Sequence, residues 1–130
     1  MLRVFLDANV LFSAAYREGA GLLALWKRSD TQLLTSGYAA EEARRNLDTA
    51  DRRLRLEGLL AALLIAAEAP QVPLPRGVRL PEKDEPILRA AMAAGATHLL
   101  TGDLPDFGHL LGRRAGGVWI QTPGDFLRAR

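Results

Sequence analysis

Two short apolar runs in this chain each end in an aspartate: "VFLD" closes on Asp7, and "HLLTGD" closes on Asp103. A carboxylate at the exit of a buried strand must meet water, a cation or a hydrogen-bond donor, since a lone buried charge opposes folding by many kcal/mol. Neither run alternates apolar with polar residues. Such runs suit strands covered on both faces, as in the interior of a parallel sheet.

Helical patterns separate the runs. Leu22, Leu23, Leu25 and Trp26 recur at helical spacing, and "TQLLTS" follows as a second strand. Ser36 is placed to cap the next helix, in which Ala39, Ala43, Asn46 and Leu47 share a face while Arg44, Arg45 and Asp48 look outward. A longer helix is expected over residues 51–69, with a broad stripe of Leu56, Leu59, Leu60, Leu63, Leu64 and Ala67. "PQVPLPRGVRLP" holds four of the seven prolines and reads as an extended connection with one short strand near Val72.

Beyond it, Asp84 or Glu85 caps a helix that has Pro86 in its first turn and stops at Gly95. A strand over 97–101, a short helix around Leu110, a Gly116-Gly117 turn and the strand "VWIQ" complete the pattern, before a final helix capped by Thr122. Alternating helices and short apolar strands imply right-handed crossovers. The expected class is α/β, a three-layer fold with a central parallel sheet of four to five strands and helices on both faces. Ligands of such sheets bind outside the carboxyl ends of the strands, where strand order reverses. If the first strand and the 97–101 strand are neighbours there, Asp7 and Asp103 meet.

Composition narrows the chemistry. The 130 residues suit one domain spanning 1–130. Cysteine is absent, which excludes disulfides and thiolate metal sites. The longest apolar run, residues 59–67, is far shorter than the roughly 20 residues of a membrane helix, so a soluble cytoplasmic protein without membrane attachment is expected. The net charge is only +2, but all basic residues except Lys27 and Lys83 are arginine, the side chain suited to bidentate phosphate contacts. Codon usage alone can produce that bias, and the charge by itself identifies no partner.

Two further acids reach the same sheet edge from the first turns of helices. Glu42 shares the face of Ala39, Ala43 and Asn46, whereas Glu41 lies beside it, set to pair with Arg45 four residues on. The helical face therefore selects Glu42. Asp84 stands at the start of its helix, where capping alone would account for it. Together Asp7, Glu42, Asp84 and Asp103 would bring up to four negative charges into one cleft, which raise one another's pKa unless a cation compensates them. Oxygen ligands without cysteine or histidine favour Mg²⁺ or Mn²⁺ over Zn²⁺. Phosphodiester hydrolysis is the chemistry that uses such a site.

With these segments in hand, the chain resembles the PIN-domain ribonucleases, and among them the small VapC-like toxin components of toxin–antitoxin pairs. "FLDANVLFSA" is similar to the opening motif, "TSGYAAEEARRNL" to the helix that supplies a glutamate, "EKDEPILRAAMAAGATHLLTGDLPDF" to the paired later motifs and "VWIQTPGDFL" to the closing strand and helix. Each motif is short, but four in order at natural spacing are specific. The resemblance implies that Asp7, Glu42, Asp84 and Asp103 are catalytic, metal-binding acids, that Asp106 is an auxiliary acid near the metal, and that Asn9 and Thr101 are supporting polar groups. It also implies an RNA substrate and a cognate antitoxin.

The remaining conspicuous residues have plainer readings. His98 and His109 suit surface or supporting roles, Trp26 and Trp119 core packing, and Phe107 an anchor for the acidic loop. Arg44, Arg45, Arg52, Arg53 and Arg55 are expected to form a solvated basic strip; Arg44 and Arg45 begin it beside Glu42 and are the candidates for RNA phosphates. The excess apolar area of the 56–64 stripe suits a second copy of the chain or an antitoxin helix, so a homodimer is expected. Against the nuclease stands a catalytically silent module of the same fold that docks RNA or protein. A phospho-acceptor receiver domain also gathers acids at strand ends, but it needs a lysine after a late strand, and neither Lys27 nor Lys83 is placed there.

Overall fold

In the computed structural model, which describes residues 1–129, β1 (Leu2–Leu6) buries Val4, Phe5 and Leu6 completely. It can do so because it lies inside the sheet. β2 (Thr31–Ser36) pairs with it on one side and β4 (His98–Leu100) on the other, both parallel. The full order is β3-β2-β1-β4-β6-β5. Strand order thus reverses between β1 and β4, which meets the condition for Asp7 and Asp103 to approach each other, and the register Leu6↔Leu100 sets their carboxyl ends side by side. The Asp7 N–H extends the ladder by donating to the Leu100 carbonyl at 3.1 Å.

Helices flank this sheet. α1 (Ala8–Ala15) packs on α2 (Gly37–Asn46) and α3 (Ala50–Leu60), whereas α4 (Glu85–Ala93) packs on β2 and β4. Small residues permit the close approach: Ala8, Ala15, Ala39, Ala40, Ala43, Ala90 and Ala91 are all buried among Leu11, Leu34, Leu56, Ile87 and Leu88. Ser36 caps α2 by accepting from the Ala39 N–H, and Thr122 caps α6 (Pro123–Arg128) by accepting from that of Asp125. No helix among the described residues is long and apolar enough to cross a membrane.

Several expectations are corrected. The sheet has six strands rather than four to five, because two short edge strands escape the pattern. β3 (Leu64–Ala66) lies where the long helix was expected to continue, and it pairs with β2 from Leu34↔Leu64 to Ser36↔Ala66. The helix instead stops at Leu60. An unbroken apolar run has no period of its own, so the open edge of β2 decides its conformation. β5 (Arg113–Ala115) forms an antiparallel hairpin with β6 (Val118–Gln121) across Gly116 and Gly117. Their φ values of 57° and 84° give the two-residue turn that glycine adopts without strain. No strand forms near Val72, and the 22–26 segment is a 3₁₀ turn, Gly21–Lys27, rather than an α-helix.

Candidate functional site

Asp7 is the first residue beyond β1 and is only 4% exposed. Its Oδ1 accepts from the Ala8 N–H at 2.7 Å, and its Oδ2 accepts from the Thr101 hydroxyl at 2.8 Å and from Asn9 Nδ2 at 3.2 Å. Burial nevertheless dominates, pushing the carboxyl up to about 6, and the negative charges of Glu42 and Asp103 act in the same direction. Thr101, fully buried, also accepts from the Asp103 N–H at 3.0 Å and from Asn9 Nδ2 at 3.3 Å. Asn9 in turn accepts from the Gly102 N–H at 2.7 Å. A Cβ on Gly102 would lie 3.3 Å from Asn9 Oδ1, so glycine leaves room for this stitch. Asn9 and Thr101 thus tie the two strand exits together.

The second group of acids faces the first. Asp84 ends a 3₁₀ turn, Glu82–Asp84, at the N-terminus of α4, but its side chain caps nothing, contrary to the capping role that its position suggests. It is buried and its carboxyl is raised to about 7, chiefly by desolvation, then by the neighbouring Asp106, against the pull of Lys83. Asp103 accepts from the Asp106 N–H at 3.1 Å and so caps α5 (Leu104–Phe107). Phe107, fully buried, anchors this loop. One carboxylate oxygen from each of Asp84, Asp103 and Asp106 lies within 4.8 Å of the others. Asp7 and Glu42 are not part of that cluster, but Asp103 and Glu42 lie near enough to Asp7 for their charges to raise its pKa.

Glu42 is half-buried and Glu41 exposed, as the helical face requires. With Ala8, Asn9, Phe12 and Asn46, Glu42 lines a groove of about 400 Å³ beside Asp7. Two residues were not among the candidates. Lys83 places its ammonium 2.8 Å from Asp106, 3.2 Å from Asp84 and 3.9 Å from Asp103, and the Tyr38 hydroxyl donates to the Lys83 carbonyl at 2.6 Å. The adjacency of Lys83 to Asp84 is legible in the sequence, but its reach to Asp106 depends on how the 102–107 loop folds back. Nothing in the sequence marks Tyr38.

The basic strip is corrected. Arg44 is held by Glu57 at 2.6 Å, Arg53 donates to the Leu47 carbonyl, and Arg52 and Arg55 donate to the Tyr16 carbonyl, Arg55 also to that of Ala15. Arg52, Arg53 and Arg55 thus satisfy carbonyls that the ends of α1 and α2 leave open. Arg45 is exposed, and its charge reaches Tyr38. Trp119 is 40% exposed on β6, with Arg114 over its ring, rather than in the core. His98 packs edge-on to Phe126, where burial lowers its pKa, and His109 is exposed.

A family model for the PIN domain matches residues 3–105, from the first strand into the acidic loop as far as Pro105. The chain belongs to the PIN-domain family. This PIN domain is similar in fold to a chain of VapBC2 from Rickettsia felis, solved on a DNA fragment from its promoter, with a TM-score of 0.64 at 15% identity over 93% of this chain and 98% of that one. It is also similar to a chain of FitAB bound to the IR36 DNA fragment, with a TM-score of 0.56 at 17% identity, covering 92% and 94%. No curated protein sequence matches it. PIN nucleases generally use divalent metals, and the donors present here fit such an ion: three converging carboxylates are hard ligands suited to Mg²⁺ or Mn²⁺.

Proposed function

We propose that this PIN domain is a Mg²⁺- or Mn²⁺-dependent endoribonuclease that hydrolyses phosphodiester bonds in single-stranded or structured RNA. The observation that carries the reading is the convergence of Asp84, Asp103 and Asp106 on one point, directly beside the buried Asp7 and the Glu42 groove. Asp84, Asp103 and Asp106 would hold the ion, with Asp7 and Glu42 completing the negative wall. A divalent ion in such a site supplies Lewis acidity, an activated water and stabilisation of the leaving oxygen.

The chain's own residues prepare for that chemistry. Thr101 and Asn9 hold Asp7 in one rotamer through hydrogen bonds on its Oδ2, which keeps its charge aimed at the cleft rather than at solvent. Asp103 is fixed twice, by its N–H on Thr101 and by its carboxylate on the Asp106 N–H. Glu42 presents a carboxylate where the groove opens, and Arg45 offers an exposed cation for RNA phosphates. Arg44, already paired with Glu57, contributes less.

The resemblance to toxin components, together with the fold shared with chains of VapBC2 and FitAB, supports a toxin working in the cytoplasm whose cognate antitoxin covers the cleft. The exposed Leu54, Leu64 and Ile65 supply apolar area for a homodimer or that partner. The test is cleavage of a single-stranded RNA by the purified chain with Mn²⁺, with Mg²⁺ and with EDTA, alongside Asp103→Asn. Products that need the ion and vanish in the folded variant support the reading. Cleavage indifferent to EDTA and to the substitution refutes it, and RNA binding without products under any divalent ion establishes a silent module instead.

A further inference from the structure

Three carboxylates drawn to one point need compensation when no metal is bound, and the protein supplies it internally. The Lys83 ammonium contacts Asp106 at 2.8 Å and Asp84 through both oxygens at 3.2 and 3.5 Å, and approaches Asp103 to 3.9 Å. An ammonium has three donors and no acceptor, and here they go to both oxygens of Asp84 and to Asp106 while Asp103 is met by charge alone. Its backbone is tethered: the Lys83 carbonyl accepts from the Tyr38 hydroxyl, Tyr38 donates its own N–H to Glu68 at 2.9 Å, and the Asp84 N–H closes the turn on the Pro81 carbonyl. The side chain itself is 63% exposed. Nothing therefore locks the ammonium in, and it is free to swing out on its four-carbon stem.

We propose that Lys83 is a tethered counter-ion that holds the Asp84, Asp103 and Asp106 carboxylates together in the metal-free protein and competes with the divalent ion for them. The proposal rests on reading these acids as the metal site. An ion bound by them needs oxygens at roughly 2.0–2.2 Å, and an ammonium at hydrogen-bond distance from the same oxygens leaves no room for it. Metal loading and the Lys83 contacts are therefore alternatives, and Lys83 sets the metal concentration at which the site fills. A second consequence is preorganisation, since the acids are already gathered when the ion arrives.

The experiment is calorimetric titration of the metal-free protein with Mn²⁺, for the wild type, Lys83→Met, Lys83→Gln and Lys83→Arg, with melting in EDTA recorded for each. Lys83→Met and Lys83→Gln are expected to bind Mn²⁺ about tenfold or more tightly than the wild type, because a charge-assisted competitor has gone. Both should melt lower than the wild type in EDTA, and Lys83→Arg should bind Mn²⁺ as the wild type does. Unchanged or weaker binding in Met and Gln, or equal tightening in Arg, overturns the proposal while leaving the nuclease reading intact. A wild type and variants that all fail to bind Mn²⁺ overturn both.

Discussion

Replacing Asp7 with asparagine removes a charge that the fold holds at a loss, so the variant should be more stable than the wild type although its site is disabled. The carboxyl is 4% exposed and raised from an ordinary 3.8 to about 6, mainly by desolvation. At about 1.4 kcal/mol for each tenfold change in proton affinity, ionising Asp7 at pH 7.5 disfavours the folded state by about 3 kcal/mol. Asparagine keeps an acceptor for the Ala8 N–H but presents its amide to Thr101 and Asn9, forfeiting about 1–2 kcal/mol of hydrogen bonding. The net gain is about 1–2 kcal/mol, or roughly 3–6 °C in Tm for a chain of this size.

The pH dependence fixes the sign. Because the folded-state pKa lies above the unfolded one, the penalty is absent below about pH 4, grows through the interval up to about 6, and is complete above it. The variant should therefore lead at pH 7.5, lose that lead on acidification and fall behind near pH 4, where folded wild-type Asp7 is protonated and little of the penalty is left. Thermal melts followed by circular dichroism in EDTA, from pH 4 to 8, test this. With Mn²⁺ in excess the variant's lead at pH 7.5 should shrink, since losing the Asp7 charge beside the three carboxylates weakens the ion's hold on the folded state. Asp7→Asn melting below the wild type at pH 7.5 in EDTA would refute the argument that burial dominates at Asp7.

Three further outcomes are expected. Thr101→Val removes the hydroxyl on which the Asp103 N–H donates and leaves Asp7 Oδ2 with Asn9 Nδ2 as its side-chain donor, and should lower stability by about 2–3 kcal/mol, read as a shifted urea midpoint. Phe107→Ala empties a fully buried position under the acidic loop; a loss of about 3–5 kcal/mol in melting experiments should accompany weaker Mn²⁺ binding in calorimetry. Arg45→Ala should raise KM for RNA and reduce the salt slope of binding by about 1, whereas Arg44→Ala, whose partner is Glu57, should change stability by less than about 1 kcal/mol and RNA binding little.

Much of the site was legible because its residues sit at places that the chain marks locally. Asp7 and Asp103 follow apolar strands and Glu42 follows from the face it shares with Ala39 and Ala43, whereas the adjacency of β1 and β4 that brings the two strand exits together comes from the fold. The edges of the sheet were not legible in the same way. β3 and β5 have three residues each, too few to show a period, and each forms because a neighbouring strand offers unpaired backbone groups.

What the sequence by itself determined, then, is the placing of β1, β2, β4 and β6 with the helices after β2 and before β4, the caps at Ser36 and Thr122, and which acids stand near the carboxyl ends of those strands. Only the tertiary structure decided that Asp106 joins Asp84 and Asp103, that Thr101 and Asn9 pin Asp7 beside the Asp103 loop, and where Lys83 goes. It also decided that Arg44, Arg52, Arg53 and Arg55 are spent on a carboxylate and on backbone carbonyls rather than left for a ligand. The physical reason is range. Periodicity and capping are settled within a few residues of chain, whereas a charged side chain chooses among all partners within reach of its stem, and folding determines which those are.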